Sequence, residues 1–531
     1  MKHFKTDLSS GLVVFLVALP LCLGISLASG APFFSGLISG IIGGIVIGSL
    51  SGSKLSVSGP AAGLAALVLS AITNIGAFDL FLCAVLIAGI LQILMSLAKL
   101  GGIANYFPSS VIKGMLTSIG ILIIAKQIPH VFGYDKDSKG NLSSLFPFGD
   151  EDLHELLQPL HHINVGVFLI CLTSIIIMLV WERPFIKKKI KFVPGALVAV
   201  IVAIIINEIF KATDSPLKIN AEHLVQIKAA QSPSDFLSFF TLPDFSGFLN
   251  SKVLLTGVMI AIIASLETLL SIEAVDNLDP ERKVTNTNKE LLAQGIGNMV
   301  SGLIGGLPIT SVIVRSSANV NAGAKSKLSA IFHGILLLVC VISIPRLLNY
   351  IPLSALAAIL LITGYKLCKL SVFSQMIKNG KYQSIPFFVT VIVIMSIDLF
   401  GLVKHLKGEG LLLGVVAGLI AAFGAILHGN LKNSYFFHKD QHHKDDVIKI
   451  RLSEELSFLN KAAIRETLDH IPERSTVIID ASNTEYIDFD VLELLKEFRD
   501  IKAPLKKISC KLEGFKGKYK IENHLHVQSM H

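Results

Sequence analysis

Glu267 stands in IAIIASLETLLSIEAVD with apolar turns on both sides. A charge at the centre of a membrane helix costs roughly 2.5–3.5 kcal/mol on insertion scales, so such a residue faces a cavity or a partner and marks an ion or proton pathway. Thr268 adds a hydroxyl, and Ser271 shares the Glu267 face at i+4 spacing. The structural alternative is a neutral, hydrogen-bonded glutamic acid that holds helices together. A second cluster fills the stretch from Glu290 to Lys327, ELLAQGIGNMVSGLIGGLPITSVIVRSSANVNAGAKSK. Gly295, Gly297, Gly302, Gly305 and Gly306 crowd its first half and Pro308 interrupts it, so it is not one plain membrane helix. Irregular backbone at membrane depth survives only where protein buries it or a wet cavity lines it. The pattern predicts a half-helix starting near Ile309 whose first turn, with Thr310, Ser311, Val312 and Ile313, points free N–H groups at a small anion. The competing account is a kinked span capped by Thr310 or Ser311. Arg315, a turn further on, either attracts the anion or pairs with a carboxylate such as Glu267.

The elements that must position these residues are membrane spans. The chain has 531 residues, 52% hydrophobic and 16% charged, against about 25% charged in globular proteins. Its mean hydropathy is +0.65. Apolar segments recur about fourteen times, in two groups of seven separated by a polar gap at 211–252. Several are shorter than the roughly 20 residues a crossing needs. Lys2, Lys5, Lys54, Lys99, Lys113, the run Arg183 to Lys191, Arg282, Lys283, Lys325, Lys327, Lys366 and Lys369 fall on one side with the N-terminus. Positive charge inside makes both termini cytoplasmic in the inner membrane, and it accounts for the net charge of +8 without nucleic acid. The start MKHFKTDLSS has no cleavage pattern, so no signal peptide is expected. Six scattered cysteines have neither disulfide nor metal spacing.

The two groups of seven look related. SVSGPAAGLAAL, Ser56 to Leu67, is broken at Gly59-Pro60 and is the third span of its half, as the segment opened by Pro308 is of the other. Paired Gly/Pro-interrupted segments at matching places point to a transporter site at the midplane. Seven spans per half make the repeats inverted, with repeat one at about 8–210 and repeat two at about 253–428. The outside loop 129–163 carries His154, His161 and His162 beside Asp150 and Glu151, without a common metal-ligand spacing, and reads as a solvated loop. Residues 1–430 form the transmembrane domain and 431–446 a polar linker. In 447–531, VIKIRL and STVIIDAS read as strands, and 459–470 and 489–500 as helices, giving a small α/β domain. There Asp480, Asp488 and Asp490 surround a strand-to-helix turn and read as capping residues, with Asp490 near the helix N-terminus.

GLVVFLVALPLCLGISLASG, LSVSGPAAG, AQGIGNMVSGLIGGLPIT with the following Arg315 and NVNAGAKSKL, IPLSALAAIL and the terminal domain together resemble the SulP family of anion transporters over nearly the whole chain. The resemblance implies an all-α membrane domain of the uracil-permease type, a seven-plus-seven inverted repeat with core and gate, followed by an α/β STAS domain that links a homodimer. It also implies an anion between half-helices three and ten, near Ala61 and Ala62 on one side and Ser311, Val312 and Ile313 on the other. Glu267 then matches the coupling-ion position, an aspartate in sodium-coupled bicarbonate members. Here Ser271 offers a hydroxyl, whereas Val312, Ile313 and Val314 replace the small or hydroxyl residues of span ten. Many members have Pro-Gln in the first span where this chain has Pro20-Leu21, and Phe489-Asp490 stands in place of the phosphorylatable serine found in regulatory proteins of the STAS fold.

The function expected is secondary active transport of a small inorganic oxyanion, bicarbonate, sulfate or a small dicarboxylate, by elevator-like alternating access. Desolvation favours the neutral form of Glu267. A bound anion favours it further, so proton and anion binding assist one another, as symport requires. Sodium-coupled bicarbonate symport is the alternative. A nucleobase permease would recognise its base with polar side chains in the central spans, and a membrane-anchored STAS regulator needs no mid-span glutamate. No cofactor motif or nucleophile constellation is present, so no enzyme is expected and no cofactor beyond co-transported H+ or Na+.

Overall fold

The computed structural model describes residues 3–133, 164–183, 185–186, 193–227, 238–402, 409–432, 447–458 and 460–519. The histidine-bearing part of loop 129–163 and most of the 431–446 linker lie outside them. Helices dominate: α1 Phe4–Ala28, α2 Phe33–Ile42 continuing to Leu50, α3 Ala62–Ile75, α4 Phe78–Leu97, α5 Ser109–Phe132, α6 Val165–Trp181 and α7 Gly195–Ala212. After the polar gap come α8 Ser251–Leu278, α9 Thr287–Leu303, α10 Ile313–Asn321, α11 Leu328–Ser343, α12 Leu353–Leu367, α13 Leu370–Lys378, α14 Lys381–Ile394 and α15 Gly410–Lys432. Among the described residues, eight helices are long and apolar enough to cross a membrane, and four shorter apolar ones join them. The chain is an integral, multi-pass membrane protein with a mostly helical fold.

Two short strands, β1 Ser58–Pro60 and β2 Ile309–Ser311, interrupt the helices. Pro60 ends β1 with fixed φ and no N–H to continue a ladder, and the chain turns at once into α3. Polar residues set the entry of the long spans. The Asn250 side chain accepts from the Lys252 N–H at the start of α8, and Asn286 does the same for Lys289 at the start of α9.

The chain divides into two compact units. The first comprises 1–104, 115–370 and 391–414. Its core is aliphatic and draws on α1, α2, α6, α7, α9, α11 and α12, with Leu23, Leu37, Ile47, Leu337 and Leu356 fully buried. The second unit comprises 105–114, 371–390 and 415–531. It contains a parallel sheet of β3 Val447–Arg451, β5 Thr476–Asp480 and β7 Ser509–Glu513 in the order β3-β5-β7. A two-stranded parallel pair, β4 Glu455–Leu456 with β6 Tyr486–Ile487, and helices α16 Asn460–Asp469 and α17 Phe489–Glu497 complete the small α/β region. Within this unit the N-terminus of α17 meets the first turns of α5 and α14. Asp490 accepts from the Ser109 N–H at 3.2 Å and from its hydroxyl, the Gln383 amide donates to Asp488, and the Lys113 ammonium lies 4.6 Å from the Phe489 ring. The cap of α17 is Asp488, which accepts from Asp490 N at 2.9 Å. Asp490 sits in the first turn, where its carboxylate reaches Ser109 rather than the backbone of its own helix.

Candidate anion site at two broken helices

Ser58, Gly59 and Pro60 pair antiparallel with Ser311, Thr310 and Ile309. Both strands are wholly buried, as irregular backbone at this depth requires. Each runs directly into a helix. Ala61 is the N-cap of α3 with φ −103° and ψ 132°, and Val312 is the N-cap of α10 with φ −118° and ψ 116°. The second half-helix therefore starts at Ile313, not near Ile309, because residues 309–311 are drawn into pairing with a strand about 250 positions away. Neither helix has a side-chain cap, so neither Thr310 nor Ser311 serves as one. The two N-caps lie just beyond opposite ends of a three-residue ribbon, about 13 Å apart along the strand direction. Uncapped first-turn N–H groups and a positive dipole end thus lie at each end of one buried ribbon.

A buried polar network holds the ribbon. The Asn298 side chain behaves like a further strand: its Oδ1 accepts from Ile309 N at 2.7 Å and its Nδ2 donates to Ile309 O at 3.1 Å. The same Nδ2 reaches Gln92 Oε1 at 2.7 Å, and Gln92 Nε2 reaches Ser265 Oγ at 3.2 Å. Gln294 donates to Ser58 Oγ at 2.8 Å and to Glu290 at 2.9 Å, and Glu290 also accepts from Gly52 N at 2.9 Å and from the Ser51 hydroxyl. Thr268 accepts from Ser311 N at 3.2 Å, and the Ser56 and Ser311 hydroxyls are 2.6 Å apart. Sequence reasoning gave Glu290, Gln294, Asn298 and Gln92 no role. The signal was present: positions 290, 294 and 298 recur every four residues and lie on one face of α9.

Glu267 and Arg315 occupy different arms of this arrangement. Glu267 is half-buried, and its Oε1 lies 2.6 Å from where a Cβ on Gly63 would stand, in the first turn of α3. Glycine at 63 is what lets the carboxyl approach. Ser271 is buried one turn along α8. Arg315 is fully buried; its Nη2 donates to Cys22 Sγ and to Pro60 O, both at 3.4 Å. Its Nη1 lies 2.0 Å from the position a Gly59 Cβ would take. Among the described residues Arg315 has no carboxylate partner, so of the two sequence readings the pairing with Glu267 is absent. Ala61 is buried and Ala62 half-buried; the Thr310 and Ser311 side chains are buried, and Thr310 donates to Ser311 O at 3.3 Å. Val312 is half-buried, while Ile313 and Val314 are 42% and 47% exposed. The open surface at the start of α10 is apolar, and the polar groups lie behind it.

A multi-pass helical membrane protein with two crossing broken helices is the architecture of a membrane transporter, and comparison with known proteins gives the same class. YvdB of Bacillus subtilis (strain 168) is 28% identical over 429 residues, covering 80% of this chain and 73% of YvdB. The bicarbonate transporter BicA of a Picosynechococcus species is 25% identical over 407 residues, covering 75% of this chain and 68% of BicA. The structure of the murine anion transporter Slc26a9 in its inward-facing state superposes with a TM-score of 0.63 at 16% identity, covering 96% of this chain and 85% of that one, which is a likeness of fold. The protein is an anion transporter, not an enzyme. Residues 4–393 match the sulfate permease family, and the chain belongs to it.

Proposed function

We propose that the protein is a secondary active transporter that carries a small oxyanion, bicarbonate or sulfate, across the inner membrane, coupled to protons through Glu267. The anion sits between the first turns of α3 and α10, held chiefly by backbone N–H groups and helix dipoles near Ala61, Ala62, Ser311, Val312 and Ile313, with Arg315 behind. Each dipole is worth about 0.3–1 kcal/mol, rising to about 2 when partly buried, so two converging ends suit micromolar or weaker binding. The ribbon and its two half-helices move together in an elevator-like alternation. Both termini are cytoplasmic, and 447–531 acts as a STAS domain in dimerisation and regulation without transport chemistry.

The observation that carries the coupling is the packing of the Glu267 carboxyl on Gly63 in the first turn of α3. A charged carboxylate there occupies the positive helix end that the anion needs. Protonation removes that charge, so proton and anion bind cooperatively. Sodium-coupled bicarbonate symport is the second reading, favoured by the oxygens of Thr268 and Ser271 beside Glu267 on α8. The test is uptake of labelled sulfate and bicarbonate into proteoliposomes under separately imposed proton and sodium gradients. Glu267→Gln, which mimics the neutral acid, is expected to keep anion binding and lose stimulation by an inward proton gradient. Strict dependence on sodium with no response to the proton gradient overturns the proton assignment and returns Glu267 to a sodium site with Ser271.

A further inference from the structure

The second unit holds a cavity where its α/β region meets the first turns of α5 and α14 and the helix α15. The cavity spans about 500 Å³ of empty space, part of it open to solvent, which is the size class of small-ligand sites. The pairing of β4 with β6 sets Glu455 beside Tyr486 in its lining. From β6 the chain passes into α17 through Asp488, whose N–H donates to Leu456 O at 2.7 Å, so the carboxylate that caps α17 also lines the cavity. The Tyr382 ring of α14 stands 5.2 Å from that of Tyr486, and Phe458, buried just after β4, adds a third ring.

Two features of this lining ask for an occupant. Ser110 of α5 is 1% exposed, and its hydroxyl has no hydrogen-bond partner. Buried polar atoms are nearly always satisfied, and an exception calls for a water, a ligand or a functional role. The second feature is unmatched negative charge. Asp488 is 3% exposed and is held by neutral donors, the Gln383 amide and Asp490 N–H. A buried carboxylate without a cation is costly, and burial with the neighbouring Asp490 carboxylate pushes this one up to about 7. Glu455 supplies a second carboxylate, and no lysine, arginine or histidine stands among the described lining residues. The nearby cations are placed elsewhere. Lys113 of α5 lies over the Phe489 ring, Lys381 of α14 is exposed, and Lys461 of α16, whose field reaches Asp488, is outside the lining. A water satisfies Ser110 but leaves the charge unmatched.

We propose that this cavity binds a small organic cation of the primary alkylammonium class. The three N–H donors of such a head match the Asp488 carboxylate and the Ser110 hydroxyl, and Glu455 adds to the attraction. The faces of Tyr382, Tyr486 and Phe458 receive the carbon chain and favour the same charge. An anion is repelled by both carboxylates. No covalent bond is made; where Asp488 carries a proton, the cation displaces it to water. An occupant touches β4, β6 and the first turns of α5 and α14 at once, so it ties the α/β region to those helices. The site shares no residue with the two broken helices and is independent of which anion is carried.

The test is equilibrium dialysis of radiolabelled butylammonium against the full-length protein in phosphatidylcholine nanodiscs at pH 8, where Asp488 is mostly charged. Saturable binding to one site per chain is expected. Unlabelled n-butanol, the same chain without the charge, displaces the label about tenfold less well than unlabelled butylammonium, or worse, and butyrate does not displace it. Asp488→Asn, which keeps the cap of α17, weakens binding by about tenfold or more, Ser110→Ala by a smaller factor, and Glu267→Gln leaves it unchanged. Butanol competing as well as butylammonium shows an apolar pocket only and overturns the proposal, even if neither variant of the site inserts. Absence of saturable binding to the wild type overturns it as well. Binding kept in Asp488→Asn but lost in Glu267→Gln places the amine at the membrane carboxylate, which is the third overturning result.

Discussion

The two broken segments of this transporter occupy matching places in the two halves of the chain, yet they are built differently. The β1–α3 arm is made of small residues, its helix runs 14 residues to a left-handed Gly76, and a carboxyl from α8 packs on its first turn. The β2–α10 arm has a helix of 9 residues, apolar side chains on its open face and a buried guanidinium behind. The first arm thus offers bare backbone and receives a titratable acid; the second brings a fixed positive charge. Under the proposed coupling, the first arm senses protons while the second holds its charge constant.

The largest effect expected on this pair is from Ser311→Asp. A carboxylate at a fully buried position of β2 puts a fixed negative charge beside the proposed anion, so uptake is expected to vanish, while Ser311→Ala lowers it only modestly. Loss of uptake in a correctly inserted Ser311→Ala protein would show that the hydroxyl, not the backbone, holds the anion. Next in size is the contrast between the glycines. Gly59→Ala drives a methyl into Arg315 Nη1 and is expected to reduce uptake at least tenfold. Gly63→Ala meets the end of the Glu267 side chain, which can rotate away, so it should shift the pH dependence of uptake with a smaller loss of rate. Equal losses with unchanged pH profiles would erase the distinction between the arms.

Asn298→Ala tests what the arms share. It leaves Ile309 N and O, both buried, without their side-chain partner, at about 1–3 kcal/mol for each group stranded. The thermal midpoint in detergent should fall, and anion binding should weaken at both arms together. The smallest effect on transport is expected from Asp488→Asn, outside both arms. Burial and the neighbouring Asp490 carboxylate push the Asp488 carboxyl up to about 7. The folded state then binds the proton more tightly than the unfolded chain, so stability falls as pH rises from about 4 to about 7 and levels off above. Asparagine keeps the cap of α17 and should flatten that dependence, as hydrogen exchange of the α17 amides across this pH range would report.

Much of this arrangement was legible in the residues. Gly59-Pro60 and Pro308 marked both breaks, and Glu267 was visible as a charge among apolar turns. The start of α10 was misjudged by four residues because the pairing of 309–311 with 58–60 is set across the fold and leaves no local trace. The neighbours of Arg315 come from α1 and β1, far away in sequence, so the lack of a carboxylate partner among the described residues left no trace in the local sequence. The Gln294–Asn298 scaffold could have been read from its spacing, since buried amides at i and i+4 in an apolar helix require partners.

Ile313 and Val314 have a further bearing on selectivity. They flank the start of α10 with hydrocarbon that cannot replace the water an ion sheds on arrival. An anion that holds its hydration shell weakly loses little there, whereas one that holds it strongly must recover the whole cost from a few backbone donors. Large, weakly hydrated anions such as thiocyanate or nitrate should therefore compete for the site out of proportion to their charge, in the order of their lyotropic series.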